Sequence, residues 1–169
     1  MKPQNDTPPP LPGLSLIFVE GGAFQMGDEK GDLWEVCRPV HPVSVSSFYI
    51  GKYQVTQAIW QTVMGENPSG FKGETLNVGL LLANELDVYD MSGNLWEWCM
   101  DTWHDTYHGA PHDGSAWVDL NGGESFVVRG GSYFDAPLNC RTTYRSKFLH
   151  DDSLDNIGFR LCLPIPASH

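Results

Sequence analysis

Apolar and polar residues along this chain form short runs, which predict strands rather than long helices. The runs predict strands at Leu14–Val19, Ala23–Met26, Pro42–Ile50, Phe126–Gly131 and Ile157–Leu163. In the third run every second position from Val43 to Tyr49 shares one face, so this strand is expected to be half exposed. Residues 132–156 are expected to be irregular, and a Gly pair at 130–131 predicts a sharp turn before them.

One helix is marked at both ends. Thr56 is the predicted N-cap, and Val55 and Trp60 have the spacing of a hydrophobic staple. Gly65 ends the helix, because glycine adopts the left-handed C-cap conformation without strain. The predicted buried stripe of this helix consists of Ile59, Trp60, Val63 and Met64.

Residues 88–101 combine a tight turn with an aromatic strand. Gly93-Asn94 is a strong turn dipeptide, and Trp96 and Trp98 follow it two residues apart. In an extended chain these two side chains point the same way, so they predict one large buried aromatic face.

Glu97 points to the opposite side of this strand, between apolar neighbours, where a carboxylate without a partner is costly. One solution is a cation between Asp90, Glu97 and turn carbonyls, since Ca²⁺ accepts carboxylate and backbone oxygens in flexible geometry. The alternative is a capped turn in which Glu97 bonds to backbone amides or to an arginine. Arg129 is expected to reach a carboxylate, and Arg160 is expected in a buried network.

Composition limits the classes of partner. The chain has 169 residues, enough for one domain with a substantial core, and its net charge of −11 argues against nucleic acid as a ligand. No run reaches transmembrane length, and residues 1–12 contain no apolar signal-peptide core, so no membrane is expected and a cytoplasmic location is the default. Residues 1–13 are predicted to be a disordered, Pro-rich leader before a single domain at 14–169.

The cysteines have no CxxC spacing, so a zinc site is not expected. They are interpreted as free thiols of a reducing compartment: Cys37, Cys99, Cys140 and Cys162.

Residues 101–121 form a predicted loop in which His104, His108 and His112 recur every four residues beside aspartates. One interpretation is a transition-metal site. Glycines and a proline oppose the helix that would align these histidines, so a solvated loop is the favoured interpretation. An aromatic-lined ligand surface is favoured over the metal, from Trp103, Tyr107 and Trp117.

Six blocks in order resemble the family of the formylglycine-generating enzyme, also called the sulfatase-modifying factor family. They are GGAFQMG (21–27), FYIGKYQVTQAIWQTVMG (48–65), NPSGFKG (67–73), NELDVYDMSGNLWEWCMD (84–101), VVRGGSY (127–133) and NIGFRLC (156–162). The resemblance implies an α+β, C-type lectin-like fold in the variant typical of that family.

Compared with the family, tens of residues are missing after residue 73, so the fold is shortened by an internal deletion. The second helix of the fold is expected to be lost or replaced by Leu80–Glu85. The apolar run Gly79–Ala83 suits a lid or an interface, so a partner or an oligomer that covers the truncated flank is a further expectation.

The resemblance also carries expectations about metals. A family calcium site has all four of its positions matched here, by the side chains of Asp90 and Glu97 and by the carbonyls of Gly93 and Leu95. The catalytic members bind copper through a cysteine pair that follows the GGSY motif. Residues 134–139 contain no cysteine and Cys140 stands alone, so structural calcium is expected, whereas copper and sulfatase-modifying activity are not.

Within this family, the chain most resembles the non-catalytic variable proteins of diversity-generating retroelements. Their C-terminal region, from RGGS to the GFR strand, is diversified at surface positions to bind varied ligands. The segment 129–160 fits that pattern. The residues expected to be displayed are Tyr133, Phe134, Asp135, Asn139, Thr142, Tyr144, Lys147, Phe148, His150 and Asp151.

The sequence thus predicts a catalytically silent domain that binds a protein or other macromolecular ligand at its C-terminal loop surface. The alternative is a formylglycine-generating, sulfatase-modifying oxidoreductase, which two or more cysteines meeting near Trp96 would favour. A third interpretation is a structural subunit whose truncated flank is completed by oligomerisation.

Overall fold

The computed structural model describes residues 13–30, 35–67, 69, 77–120 and 123–165. Of the predicted leader, Gly13 alone falls within this range. The α-helix and strands of the described residues are β1 (Leu16–Val19), β2 (Gly22–Met26), β3 (His41–Val45), β4 (Phe48–Gly51), α1 (Gln57–Met64), β5 (Trp96–Thr102), β6 (Ser125–Arg129), β7 (Ser146–Leu149), β8 (Ile157–Gly158) and β9 (Cys162–Pro164). Short 3₁₀ turns occur at Glu35–Cys37 and Pro137–Cys140.

The described strands form three sheets. One has the order β1–β4–β9, a second pairs β2 with β3, and the third has the order β7–β6–β5–β8. Neighbours are antiparallel except β5 and β8, which run parallel. Buried apolar side chains concentrate on the third sheet, where Trp96, Val127 and Val128 are at most 4% exposed. This sheet positions the candidate site.

The run at 42–50 is not one strand, as the alternation predicts, but two strands in different sheets. β3 pairs with β2, whereas β4 pairs with β1 and β9. The break falls at residues 46–47, where the Ser47 hydroxyl accepts a hydrogen bond from the Gly21 amide at 3.0 Å. A Cβ on Gly21 would lie 2.6 Å from the Val45 carbonyl oxygen, so only glycine permits this close corner.

The run at 157–163, predicted as one strand, is also divided between two sheets. Ile157–Gly158 joins the third sheet and Cys162–Pro164 joins the first. Between them, the Phe159 carbonyl accepts from the Val55 amide at 2.9 Å, and the Leu161 carbonyl accepts from the Gly51 amide at 2.8 Å. The prediction that residues 132–156 are wholly irregular is also wrong, because β7 lies inside them and pairs with β6.

Helix α1 begins and ends as predicted. The Thr56 hydroxyl accepts a hydrogen bond from the Ile59 amide at 3.2 Å, and Gly65 closes the helix with a φ of 80°. The predicted apolar stripe of the helix is not buried at its C-terminal end, where Val63 and Met64 are 54% and 57% exposed. Trp60 packs edge-on against the Phe159 ring at 5.8 Å, so only the first turns of the helix contact the core.

The flank beside the deletion exposes apolar side chains. Leu80, Leu81 and Leu82 are 74%, 46% and 97% exposed. Residues 80–85 are irregular apart from a bend at Leu81 and a turn that begins at Glu85, and the described residues contain no second α-helix. No described helix is long and apolar enough to cross a membrane.

Candidate functional site

The aromatic face of β5 is covered by two residues of the C-terminal region. The Trp96 ring lies 6.0 Å from that of Tyr144, and the Trp98 ring lies 6.1 Å from that of Phe148. Trp96 is 4% exposed. The two tryptophans share a side as predicted. Tyr144 and Phe148, which the sequence predicts to be displayed, are half-buried because both rings pack on the tryptophan face.

Glu97 finds the arginine partner that the sequence leaves open. Arg160 Nη2 lies 2.7 Å from Glu97 Oε1, and Arg160 Nε donates to both carboxylate oxygens. The side chains are 3% and 17% exposed. Arg160 also donates to the carbonyls of Gly51 and Tyr89, at 2.9 and 2.7 Å. One guanidinium therefore joins β4, β5 and the segment before the turn.

Gln54, which the sequence gives no reason to single out, completes this network. It is 1% exposed. Its Nε2 donates to the Leu95 carbonyl at 3.0 Å and to Glu97 Oε1 at 2.9 Å, and its Oε1 accepts from Asn94 Nδ2 at 2.7 Å. A neutral amide thus links the turn to the carboxylate.

Three of the four predicted calcium ligands have protein partners in this arrangement: Asp90, the Leu95 carbonyl and Glu97. The Asp90 carboxylate, 2% exposed, accepts the backbone amides of Gly79 and Leu81. The Leu95 carbonyl and the Glu97 carboxylate both accept hydrogen bonds from Gln54 Nε2. This donor set does not fit a cation unless the Gln54 amide is displaced. Calcium at Asp90, Gly93, Leu95 and Glu97 thus stays a prediction of the family resemblance alone, and the contacts of Gln54 and Arg160 argue against it.

Two further arginines contact the third sheet, Arg145 buried and Arg129 half-buried. Arg129 donates to the Tyr107 hydroxyl at 2.6 Å and to two backbone carbonyls at 3.4 Å, not to a carboxylate as predicted. Arg145 is 3% exposed and lies between the rings of Trp103 and Tyr107, at 4.4 and 4.5 Å. Burial lowers the pKa of Arg145. These contacts fix residues 101–110 against the sheet.

The histidines of residues 101–121 do not converge. His104 stacks on Trp117 at 3.6 Å, and His112 Nδ1 contacts the Pro42 carbonyl at 2.7 Å. Within the described ranges no group of three metal-binding side chains occurs. Of the aromatic ligand surface predicted here, Tyr107 is buried at 6% exposed and Trp103 packs on Arg145.

The segment after the Gly pair presents two aromatic rings. Gly130 and Gly131 have φ values of 92° and 72°, which confirms the predicted turn. Tyr133 and Phe134 follow, 48% and 73% exposed, with ring centroids 4.3 Å apart. The Tyr133 amide donates to the Asn94 carbonyl at 3.0 Å, so this aromatic pair is anchored to the turn at Gly93-Asn94, the central turn.

A polar cluster holds the aromatic pair from below. Asp135 Oδ2 accepts from the Ser132 amide and hydroxyl, and Asp135 Oδ1 accepts from Asn139 at 3.0 Å. Asn156 donates to the Ser132 hydroxyl at 3.2 Å, which connects this cluster to the loop before β8. Burial raises the pKa of the Asp135 carboxyl, but the hydrogen bonds from Ser132 and Asn139 outweigh it and hold the pKa below its ordinary value.

The ten predicted display residues therefore divide into two groups. Asp135 and Asn139 serve the polar cluster, and Tyr144 and Phe148 cover the tryptophans, so these four are partly buried. The other six are exposed: Tyr133, Phe134, Thr142, Lys147, His150 and Asp151.

The four cysteines are free and lie on four different elements. Cys37 Sγ donates to the Thr143 carbonyl at 3.1 Å. Burial raises the pKa of all four thiols, that of Cys99 to about 11. A raised pKa disfavours the thiolate, which is the form that binds soft metals and attacks electrophiles.

Comparison with solved structures shows the fold. PvdO from Pseudomonas aeruginosa superposes with a TM-score of 0.73 at 22% identity, over 89% of this chain and 94% of that one. Treponema denticola variable protein 1 superposes with a TM-score of 0.67 at 19% identity, over 90% and 95%. The chain therefore has the C-type lectin-like fold that the sequence predicts.

Curated relatives match over shorter stretches. The formylglycine-generating enzyme of Thermomonospora curvata is 31% identical over 110 residues, 60% of this chain and 36% of that protein. The mouse (Mus musculus) enzyme is 33% identical over 108 residues, 60% of this chain and 28% of that protein. The chaperone protein LppX of Paenibacillus barcinonensis is 51% identical over 59 residues, 35% and 19%. The matched stretches span about a third or less of these relatives.

A family model matches nearly the whole chain, in two segments at residues 3–74 and 67–165. The segments meet where the internal deletion is predicted. The model describes the sulfatase-modifying factor enzyme 1-like domain. The chain is a shortened member of this sulfatase-modifying factor family.

Proposed function

We propose that this protein is a non-catalytic ligand-binding protein that displays variable side chains of residues 129–160, as a variable protein of a diversity-generating retroelement does. The aromatic pair Tyr133–Phe134 carries the proposal. Its rings are 48% and 73% exposed, yet its backbone is fixed by the polar cluster and by the central turn. Exposed large aromatics on a rigid loop offer contact area at little entropic cost on binding.

The pattern of burial around this pair supports display. Exposed positions lie close in sequence to buried ones: Lys147 is exposed two residues after the buried Arg145, and Phe134 is exposed two residues after the buried Ser132. The anchored residues make long-range contacts, so the exposed ones can vary without loss of the scaffold. The similarity in fold to the Treponema denticola variable protein is compatible with this use. The ligand we propose is a protein or another macromolecule.

The second candidate is a sulfatase-modifying oxidoreductase, because the matched relatives include formylglycine-generating enzymes. The thiols weigh against it. The segment that follows the Gly pair carries Cys140 without a second cysteine nearby in sequence, and burial raises its pKa. A copper site of two soft ligands has no second thiolate in that segment.

The genomic locus gives the first test. Display by diversification requires a reverse transcriptase gene and a near-copy of the codons for residues 129–160 that differs only at adenines. We expect both in the locus. A locus without either would refute diversification, and copper binding together with oxidation of a cysteine-containing sulfatase peptide would then be assayed.

A protein experiment tests display separately. In one variant, four exposed positions, Tyr133, Phe134, Thr142 and His150, are changed to Ser together. We expect the free energy of unfolding to change by less than about 1 kcal/mol, because exposed substitutions have small effects. The matched variant, Tyr144→Ser with Phe148→Ser, is expected to lose several-fold more. Equal losses in urea titrations would show that the exposed set belongs to the scaffold.

A further inference from the structure

The exposed leucines of the flank beside the deletion are held in place by hydrogen bonds to their backbone. The buried Asp90 carboxylate accepts the amides of Gly79 and Leu81. Leu80 and Leu82, which alternate with these two residues, are the most exposed of the run. Leu81 Cδ1 would lie 3.5 Å from a Cβ placed on Gly93, so the run is seated on the central turn. A buried carboxylate therefore fixes an apolar run that faces solvent.

The surrounding residues extend this run into an apolar surface. Met91 directly follows Asp90, and the Asn84 amide donates to the Val88 carbonyl at 3.0 Å, which folds the loop that carries Leu86 back beside Asp90. We call this surface the flank patch, and its exposed side chains are Leu80, Leu81, Leu82, Leu86 and Met91. None of these side chains carries a charge.

The area of the flank patch can be set against what an interface needs. The exposed fractions of its five side chains together equal about three whole side chains. Since a fully exposed leucine presents roughly 120 Å² of apolar surface, the patch offers roughly 350 Å². Apolar patches of this size are among the largest that monomeric proteins expose, and they are often functional.

The flank patch also adjoins the stretch in which this chain is shorter than its family. The two segments of the family model, at residues 3–74 and 67–165, meet just before the leucine run. The described residues contain no second α-helix that covers the patch. Within the part of the chain that the structure describes, the apolar surface next to the missing stretch is therefore left to a second molecule.

The size and the chemistry of the flank patch fit a second copy of this chain. Interfaces of homodimers are about 65% apolar, so roughly 350 Å² of apolar surface corresponds to roughly 540 Å² of interface on each copy. Two copies together bury roughly 1,100 Å², which clears the minimum of about 1,000 Å² for a biological interface. Because the patch side chains are uncharged, two copies meet there without like charges in the contact, although each has a net charge of −11.

We propose that the flank patch is a self-association surface, at which two copies of this protein pair about a two-fold axis. In such an isologous interface, Leu80 and Leu82 of each copy pack on the patch of the other. The Tyr133 amide bonds to the same central turn that carries Leu81, so each aromatic pair adjoins the dimer contact. A dimer presents two aromatic pairs and gains avidity for a ligand present in several copies. This gain in avidity rests on the proposed function, whereas the dimer itself does not.

Sedimentation velocity of the full chain tests the pairing, over protein concentrations from about 1 to 300 µM. We expect the sedimentation coefficient to rise with concentration from that of a monomer to that of a dimer. The Kd is expected to be micromolar, because the interface lies at the low end of the size range. A monomer throughout the concentration range would overturn the proposal.

Two variants locate the contact. Leu82→Ser removes apolar surface from both copies of the contact, so the Kd is expected to rise at least tenfold. The fold is expected to be unaffected, because Leu82 is almost fully exposed in the monomer. Leu120→Ser is the matched control, since Leu120 is similarly exposed but lies in the loop before β6, and its Kd is expected to be unchanged. Equal weakening by both variants, or none by Leu82→Ser, would overturn the flank patch as the contact.

Added NaCl separates an apolar contact from one that charges drive. Each copy is acidic, and Glu85 is exposed at the edge of the patch, so screening of the repulsion is expected to strengthen the dimer. Weaker pairing in NaCl would overturn the apolar contact. A locus that lacks the template repeat would leave the dimer unaffected, and a monomeric protein would leave display by a single aromatic pair intact, so the two proposals fail separately.

Discussion

Replacing Arg160 with Met is the sharpest test of the network that holds the central strand. The Arg160 side chain is 3% exposed and joins Glu97 to the carbonyls of Gly51 and Tyr89. Removing one partner of a buried ion pair costs about 3–5 kcal/mol, because the other charge stays buried. Glu97 keeps Gln54 as a donor and is 17% exposed, so we expect the lower end of that range, about 3 kcal/mol.

For a domain of this size, about 3 kcal/mol lowers the melting temperature by roughly 6–12 °C. Thermal and urea unfolding of four proteins forms a double-mutant cycle: wild type, Arg160→Met, Glu97→Gln and the double variant. We expect the double variant to lose about 2 kcal/mol less than the sum of the single losses, because it leaves no charge without its partner.

Lys52→Met is the matched control, since Lys52 pairs with Asp87 at 2.6 Å but their side chains are 22% and 59% exposed. An exposed pair of this kind contributes less than about 1 kcal/mol. A loss below about 1 kcal/mol in Arg160→Met, or single losses that simply add, would refute the reasoning. The Glu97–Arg160 pair would then be a contact without a stabilising role.

Three other predictions follow from the site. Asp135→Asn should make the free energy of unfolding less dependent on pH in the acid range. The folded pKa of Asp135 lies below its ordinary value, so the carboxylate stabilises the fold above about pH 4 and loses this effect as pH falls through the folded pKa. An unchanged pH dependence in urea titrations between pH 2 and 6 would contradict this. EDTA should leave the wild-type melting temperature unchanged, because Glu97 has protein partners. The Gln54→Glu variant should be destabilised and partly restored by CaCl₂. A lower wild-type melting temperature on chelation would instead support the calcium site implied by the family resemblance. Phe148→Ala should lower the free energy of unfolding by about 1–3 kcal/mol, because packing on Trp98 is lost. Phe134→Ala should change it by less than about 0.5 kcal/mol, because Phe134 is exposed. The opposite order in urea unfolding would reverse the roles assigned to the two residues.

The parts of the fold that depend on neighbours in the chain could be predicted from the sequence. The Thr56 cap, the Gly65 stop and the turn at residues 130–131 are set by local backbone conformations that few other residues adopt. The shared face of Trp96 and Trp98 follows from strand geometry alone. The recurrence of family blocks extended this local information to the overall fold.

The errors arise where the chain leaves one sheet for another. A run of alternating residues looks the same whether or not it bends midway, so 42–50 and 157–163 are each predicted as single strands. Likewise, an aromatic residue in a heterogeneous segment has the same composition signal whether it faces water or packs inward. Tyr144 and Phe148 therefore could not be told from Phe134 before their neighbours on β5 were known.

By itself, the sequence determined the helix ends, the central turn, the aromatic strand and the family, because these depend on residues close together in the chain or on whole blocks. Only the tertiary structure decided the partner of Glu97, since Gln54 and Arg160 are 43 and 63 residues away from it. It also decided which predicted display residues are exposed and paired Asp90 with the backbone amides of Gly79 and Leu81. The physical reason is that burial and pairing depend on which strands become neighbours, and the formation of the sheets settles that.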